Sequence, residues 1–216
     1  MRESYKLVEY QIKTIKREQM KIQSKPMGSY QTNCYIATVD GKDFIIDPGM
    51  GATSWVIENT TNPVAILNTH GHFDHVWSNH ELKEKLKIPI YIPKDDAFML
   101  AKDPLEQGTP PSKPDFEIDG DIILMIDGVK VEYIHMPGHT PGCSIIIMKE
   151  NCFSGDFIFE NSIGRVDFPF SNPEDMKKSI KKFIKFDFDK KVYTGHGNPT
   201  TIKTEQSRIG NWLNYI

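Results

Sequence analysis

The sequence predicts an α/β fold in which sheets are covered by helices. Runs of strands give way to a helix, and the scheme repeats in the second half of the chain. Asp40-Gly41 and Asp127-Gly128 each lie between two strand-like runs, the signature of a tight hairpin. A buried-looking strand, Val64 to Asn68, runs straight into the most polar and histidine-rich stretch of the chain.

Composition bounds the class. The 216 residues are 38% hydrophobic and 25% charged, the balance of an ordinary globular protein with one domain or two small ones. A single domain of that length has a radius of gyration of about 17 Å, enough for a real core. The formal net charge of −3 argues against a nucleic-acid partner. No apolar run reaches the roughly 18 residues of a bilayer span, so no membrane role is expected. Cys34, Cys143 and Cys152 cannot all pair within one chain, and their spacing matches no zinc ribbon or redox motif. A cytoplasmic location is the expectation.

Residues 1–19 carry five cations and three acids and lack the apolar core of a signal peptide. Val8, Ile12 and Ile15 have helical spacing, so this extension is read as either a short helix or a disordered tail. The folded domain is placed at 20–216. Strands are predicted at Asn33 to Val39, Asp43 to Asp47 and Val64 to Asn68, with a helix around Thr53 to Asn59. A second helix begins near Ser78. Ser78 and Glu81 have capping-box spacing, Leu82 and Leu86 share a face, and Pro89 ends it. Ile90 to Ile92 reads as a short strand. Lys102 to Gly120, with four prolines and two glycines, reads as a long loop. Further strands follow at Ile122 to Ile126, Val129 to Ile134, Ser144 to Met148 and Cys152 to Ser154. Asn172-Pro173 starts a helix whose buried face is Met176, Ile180, Phe183 and Ile184 and whose lysines are solvated. A strand at Val192 to Thr194 and a helix near Thr204 to Leu213 complete the chain.

The chemistry is concentrated in Thr69-His70-Gly71-His72-Phe73-Asp74-His75. Packing alone does not explain three imidazoles and a carboxylate so close together, because each needs a partner when buried and a cation provides one. His70 and His72, two apart, suit convergence on one ion from an extended loop. Asp74 and His75 are placed to serve a second. His139, Asp156 and His196 each follow a glycine at a predicted strand end, where the backbone has to approach closely. Together they make seven ligands, enough for two metals with an open solvent position. Imidazole and carboxylate donors suit zinc, iron or manganese.

Taken in order, HxHxDH, PGHT, GD and GHG resemble the signature of the metallo-β-lactamase superfamily, and the resemblance runs from about Met20 to the end of the sequence. It implies a four-layer αβ/βα sandwich: two mixed β-sheets flanked by helices, with the metal site at one sheet edge. It implies that His70, His72 and His139 hold one metal, that Asp74, His75 and His196 hold the other, and that Asp156 bridges them. Two divalent ions are expected, zinc first, with iron or manganese as alternatives. The β-lactamases proper lack the combination of His75 with Asp156, and flavodiiron oxidases carry glutamate where His72 stands. The closest resemblance is to short glyoxalase II-like hydrolases, which Asn33-Cys34-Tyr35, Asp47-Pro48-Gly49 and the segment Gly195 to Thr200 also resemble. Full-length glyoxalase II has a C-terminal helical domain that grips glutathione. Here the sequence ends 20 residues after His196. Pro141-Gly142-Cys143-Ser144 stands where the family often shows histidine and tyrosine. The metal chemistry carries over, and the glutathione preference stays open.

The implied activity is hydrolysis of a small-molecule thioester such as S-lactoylglutathione by a metal-bridging hydroxide, with a metal stabilising the oxyanion. Asp74 is the candidate catalytic carboxylate that orients the hydroxide. Asp47 is either a carboxylate behind a ligand imidazole or a strand-end turn residue. Arg165 either grips a substrate carboxylate or pairs with Asp167. His80 and His135 read as structural, and Trp77, Phe168 and Phe170 either pack in the core, the first reading, or wall the pocket. One rival reading is a persulfide dioxygenase with a single iron, which the segment Gly164 to Phe168 also resembles. Another is a phosphodiesterase or nuclease of the same superfamily, which net acidity disfavours. The sequence is silent on oligomeric state.

Overall fold

β1 (Lys21–Met27) pairs antiparallel with β2 (Thr32–Val39), and β2 pairs antiparallel with β3 (Lys42–Ile46) in a computed structural model that describes residues 20–216. The expectations for residues 1–19 lie outside the described residues. Asp40 and Gly41 both take left-handed backbone, φ 50° and 75°, the turn that matches the twist of paired strands. α1 (Ala52–Asn59) crosses over to β4 (Pro63–Leu67), which lies parallel to β3. α2 (Phe73–Val76) and α3 (Asn79–Leu86) then lead to β5 (Ile90–Pro93). A 3₁₀ turn and α4 (Ala97–Lys102) precede β6 (Phe116–Ile118). These six strands form one mixed sheet in sequence order.

The second sheet opens with β7 (Ile122–Ile126), β8 (Val129–His135), β9 (Ser144–Met148) and β10 (Asn151–Gly155), all antiparallel neighbours. A ribbon of β11 (Ile158–Phe159) and β12 (Ser162–Ile163) stands apart from it. α5 (Pro173–Phe183) crosses over to β13 (Lys191–Thr194), parallel to β10, and β14 (Thr200–Thr201) ends the sheet before α6 (Ile202–Ile209).

Alternation along the strands builds three apolar layers. Tyr35, Phe44, Ile46 and Leu67 meet Val131, Tyr133, Ile146 and Phe153 between the sheets. The opposite faces of β3 and β4 pack Ile45 and Ile66 against Val56 of α1 and Leu82 of α3. Ile145, Ile147 and Val192 pack against Met176, Ile180 and Phe183 of α5 and Ile202 of α6. Helix, sheet, sheet, helix is the four-layer sandwich expected.

Four local expectations need correction. Ser78 and Glu81 form no capping box. The Ser78 hydroxyl donates to the Gly49 carbonyl at 2.6 Å, and Glu81 accepts from the Thr53 hydroxyl at 2.8 Å, so both turn to α1. Ile184 lies just past α5 and is 41% exposed rather than on its buried face. The loop after α4 ends earlier than predicted, because Phe116–Ile118 docks parallel to β5. The last helix starts earlier and tightens to 3₁₀ from Gly210. Asn172 does cap α5, its side-chain oxygen accepting from the amides of Glu174 and Asp175 at 2.9 and 3.2 Å. Asn172→Ala is expected to lower stability by about 1 kcal/mol, read as a shifted urea midpoint. An unmoved midpoint would show that packing of the apolar face alone holds this helix start.

Candidate metal centre

Five strand ends deliver side chains to one edge of the sandwich. Asp47 follows β3, residues 69–75 follow β4, Asp156 follows β10 and His196 follows β13, while His139 lies between β8 and β9. His72 is still extended, with φ −63° and ψ 143°, so it and His70 project from open chain. The first turn of α2 then swings Asp74 and His75 to the neighbouring position.

The seven candidate ligands come together in two groups. Donor atoms of His70, His72 and His139 lie within 4.8 Å of one another, and so do those of Asp74, His75 and His196. Asp156 stands between the groups. Its Oδ1 is 3.3 Å from His75 Nε2, and its Oδ2 is 3.5 Å from His139 Nε2 and 3.4 Å from His196 Nε2. Asp47, His70 and His75 are equally close together, but Asp47 is committed elsewhere. It accepts from the Thr69 amide at 2.8 Å, the Thr69 hydroxyl at 2.6 Å and His75 Nδ1 at 3.0 Å.

That commitment orients two imidazoles. The Thr69 hydroxyl spends its proton on Asp47, so it accepts from His70 Nδ1 at 3.1 Å. Asp47 thus holds His75 directly and His70 through Thr69. Asp47 lies behind a candidate ligand imidazole, and its φ of 48° also makes it a turn residue. His139 Nδ1 donates to the Arg165 carbonyl at 2.8 Å, and His196 Nδ1 to the Tyr30 carbonyl at 3.0 Å. With Nδ1 occupied, each ring presents Nε2 to the centre.

The Nε2 atoms of His70, His72 and His139 are buried without a hydrogen-bond partner, and His75 Nε2 and Asp156 Oδ1, buried as well, face each other at 3.3 Å without good hydrogen-bond geometry. Orphaned buried polar atoms are rare, and a cluster of them divided between two adjacent groups leaves a demand that cations meet. The electrostatics agree. Burial, reinforced by neighbouring imidazoles, pushes His70 down and His72 down to about 3, which favours the neutral ligand form. Burial would raise the Asp74 and Asp156 carboxyls, but His75 and His196 outweigh it, and Asp74 falls to about 2. Burial likewise opposes charge on His75 and His196. The facing carboxylates outweigh it, raising both, His196 to about 9. Two protonated imidazoles thereby balance the carboxylates, the charge a bound cation would supply.

Close approach explains the glycines. A Cβ on Gly195 would lie 2.0 Å from Asp156 Oδ1 and 2.8 Å from His75 Cε1. Gly155 has φ 48°, and a Cβ there would meet the Thr69 hydroxyl at 2.2 Å. Asn33 and Tyr35 acquire a structural reason too. The Asn33 side chain donates to the carbonyls of Thr194 and Gly197, and the Tyr35 hydroxyl to that of Thr194, tying β2 to the His196 loop.

Two buried residues had no sequence signal. Thr32 donates to Asp74 Oδ2 at 2.6 Å. Asp96 accepts from the Gly71 amide at 2.8 Å, the Thr140 hydroxyl at 2.6 Å and the Gly142 amide at 2.6 Å. It links the loop bearing His70 and His72 to the loop bearing His139.

A cavity of about 740 Å³ opens over the centre, reached by His72, Asp74, His139, Asp156 and His196. Arg165 lines it and pairs with Asp167 at 2.9 and 2.7 Å. Of the two readings of Phe168 the cavity wall holds and the core does not, since it lines the cavity and is 37% exposed, and Phe170 is exposed as well. Trp77 is half-buried. His80 is exposed on α3, and His135 on β8 donates to the Pro141 carbonyl at 2.8 Å. No helix among the described residues is long and apolar enough to cross a membrane.

Known proteins resemble this chain in sequence and in fold. The sequence model of the metallo-beta-lactamase superfamily matches residues 27–196. Hydroxyacylglutathione hydrolase GloC of Haemophilus influenzae is 36% identical over 211 residues, covering 90% of this chain and 99% of the relative. The crystal structure of BLEG-1 B3 metallo-beta-lactamase superimposes with a TM-score of 0.78 at 29% identity, over 87% of this chain and 97% of its own. TTHA1623 in a di-iron-bound form gives a TM-score of 0.75 at 29% identity, over 86% and 98%.

Proposed function

The chain belongs to the metallo-beta-lactamase superfamily, and on that premise we propose that it hydrolyses small-molecule thioesters with two divalent metal ions, S-lactoylglutathione being the first substrate to test. The observation that carries the reading is the set of buried, unpartnered imidazole nitrogens, of which those of His72 and His139 belong to rings that line an open cavity. Similarity to GloC supports the thioester.

His70, His72 and His139 would hold one ion and Asp74, His75 and His196 the other, with Asp156 shared. Zinc suits these donors, and iron or manganese do as well. Bound there, such ions supply an acidified water and an electrophile for the carbonyl oxygen. The chain's own groups do the positioning. Asp47 fixes the rings of His70 and His75. Asp74, held by Thr32, faces the cavity and orients the attacking water. The leaving thiol has an ordinary pKa of about 8.5, so it departs as thiolate without a general acid. The three free, buried cysteines suit a reducing cytoplasm.

Metal-analysed protein incubated anaerobically with S-lactoylglutathione is expected to consume the thioester absorbance. Chelation should lower the rate by at least about 100-fold, and added zinc should restore it. Activity confined to oxygen with glutathione persulfide would replace this reading with a dioxygenase. Activity confined to a cephalosporin assayed in parallel would replace it with a lactamase.

A further inference from the structure

The walls of the cavity differ from its floor, and they bear on which thioester fits. Phe168 lies with its ring centre 6.0 Å from that of His72 and 6.1 Å from that of His139. Phe159 stands 6.0 Å from His196, and Tyr30 meets Phe73 edge-on at 5.0 Å. Rings therefore flank the imidazoles of both groups. Tyr30 is 54% exposed and Phe168 37%, so large apolar surface is left open around one mouth. Grouped exposure of that kind marks a surface that a ligand covers. Leu105 and Ile163 add aliphatic wall.

Charge points the same way. Arg165 is the one arginine or lysine among the described residues lining the cavity. It is held by both oxygens of Asp167 and lies over the Phe168 ring at 4.2 Å. A substrate carboxylate arriving there meets a guanidinium that already has its partner. A glutathione thioester brings two carboxylates to a wall whose described residues offer no lysine or unpaired arginine.

We propose that this site selects thioesters by apolar surface, taking an extended aliphatic or aromatic acyl arm on a thiol of low charge in preference to the doubly carboxylated glutathione. The inference rests on the thioesterase reading. The reaction is unchanged in outline: water adds to the carbonyl carbon, the C–S bond breaks, and carboxylate, thiol and one proton are released. The selectivity resides in the aromatic wall.

The test crosses two acyl groups with two thiols on the metal-loaded full chain: hexanoyl or lactoyl, on N-acetylcysteamine or glutathione. Each buried methylene is worth roughly fourfold, so hexanoyl-N-acetylcysteamine is expected to exceed S-lactoylglutathione in kcat/KM by at least about 10-fold. Phe168→Ala, a change at a partly exposed position, should shrink that advantage to within about threefold. Equal or better use of S-lactoylglutathione by the wild type would overturn the proposal. So would an apolar preference that survives both Phe168→Ala and Phe159→Ala. Failure of all four compounds with metal present is a different result, and it removes the thioesterase reading itself.

Discussion

Asp156→Ala is expected to lower turnover by on the order of 10²–10³-fold, the scale of losing one electrostatic element from a catalytic site, and to lower metal content with it. Asp156 is the carboxylate whose oxygens lie 3.3 to 3.5 Å from Nε2 atoms of both groups, those of His75, His139 and His196. Under the proposed assignment, removing it would take an anionic donor from both positions at once. A carboxylate serving one ion alone would leave the other bound, so elemental analysis separates the two cases. Gly195→Ala provides a check that leaves the carboxylate in place. The added methyl would overlap Asp156 Oδ1 at 2.0 Å and must displace it. Both variants should therefore lose metal and rate together. If both keep full metal and full rate, Asp156 is not shared.

What the sequence discloses depends on how local the physics is. His70 to His75 are consecutive, so their convergence is legible without a structure. Glycines before Asp156 and His196 are legible for a related reason, since crowding at one residue leaves its mark on the neighbour. Hairpin turns and strand alternation are local too, and the sheets follow them closely. Asp96 is illegible because its partners Gly71, Thr140 and Gly142 lie 25, 44 and 46 residues away. Thr32 reaches Asp74 across 42 residues, with the same result. Ser78 and Glu81 show the opposite failure. Their spacing satisfies a local rule, and tertiary partners on and before α1 take the same polar atoms. The β11–β12 ribbon has two residues per strand, too few for a period to show. Phe168 stays ambiguous in the sequence because residue type alone cannot distinguish an apolar interior from an apolar cavity wall.

Asp96→Ala is expected to destabilise the fold by about 2–4 kcal/mol and to weaken metal binding by about 10- to 100-fold. The carboxylate has no solvent exposure and receives three donors from two loops. Alanine strands the amides of Gly71 and Gly142 and the hydroxyl of Thr140 without an acceptor. Burial still pushes the Asp96 carboxyl up, because those three hydrogen bonds only partly offset lost hydration. The ionised group therefore sits there at an electrostatic cost, which points to its geometry as the gain. It caps no helix with its side chain, although it precedes α4. What it does is hold Gly71, the residue between His70 and His72, at a fixed distance from Thr140, the residue after His139. Asp96→Asn tests that distinction. The amide keeps the shape but turns an N–H toward one of the existing donors, so one link between the loops breaks. Competition with a chromophoric chelator should then show weaker metal binding, and a cobalt-substituted sample should show an altered d–d spectrum, even where urea denaturation records only a small loss. An unchanged spectrum and affinity in a destabilised Asp96→Asn protein would reduce Asp96 to a packing residue.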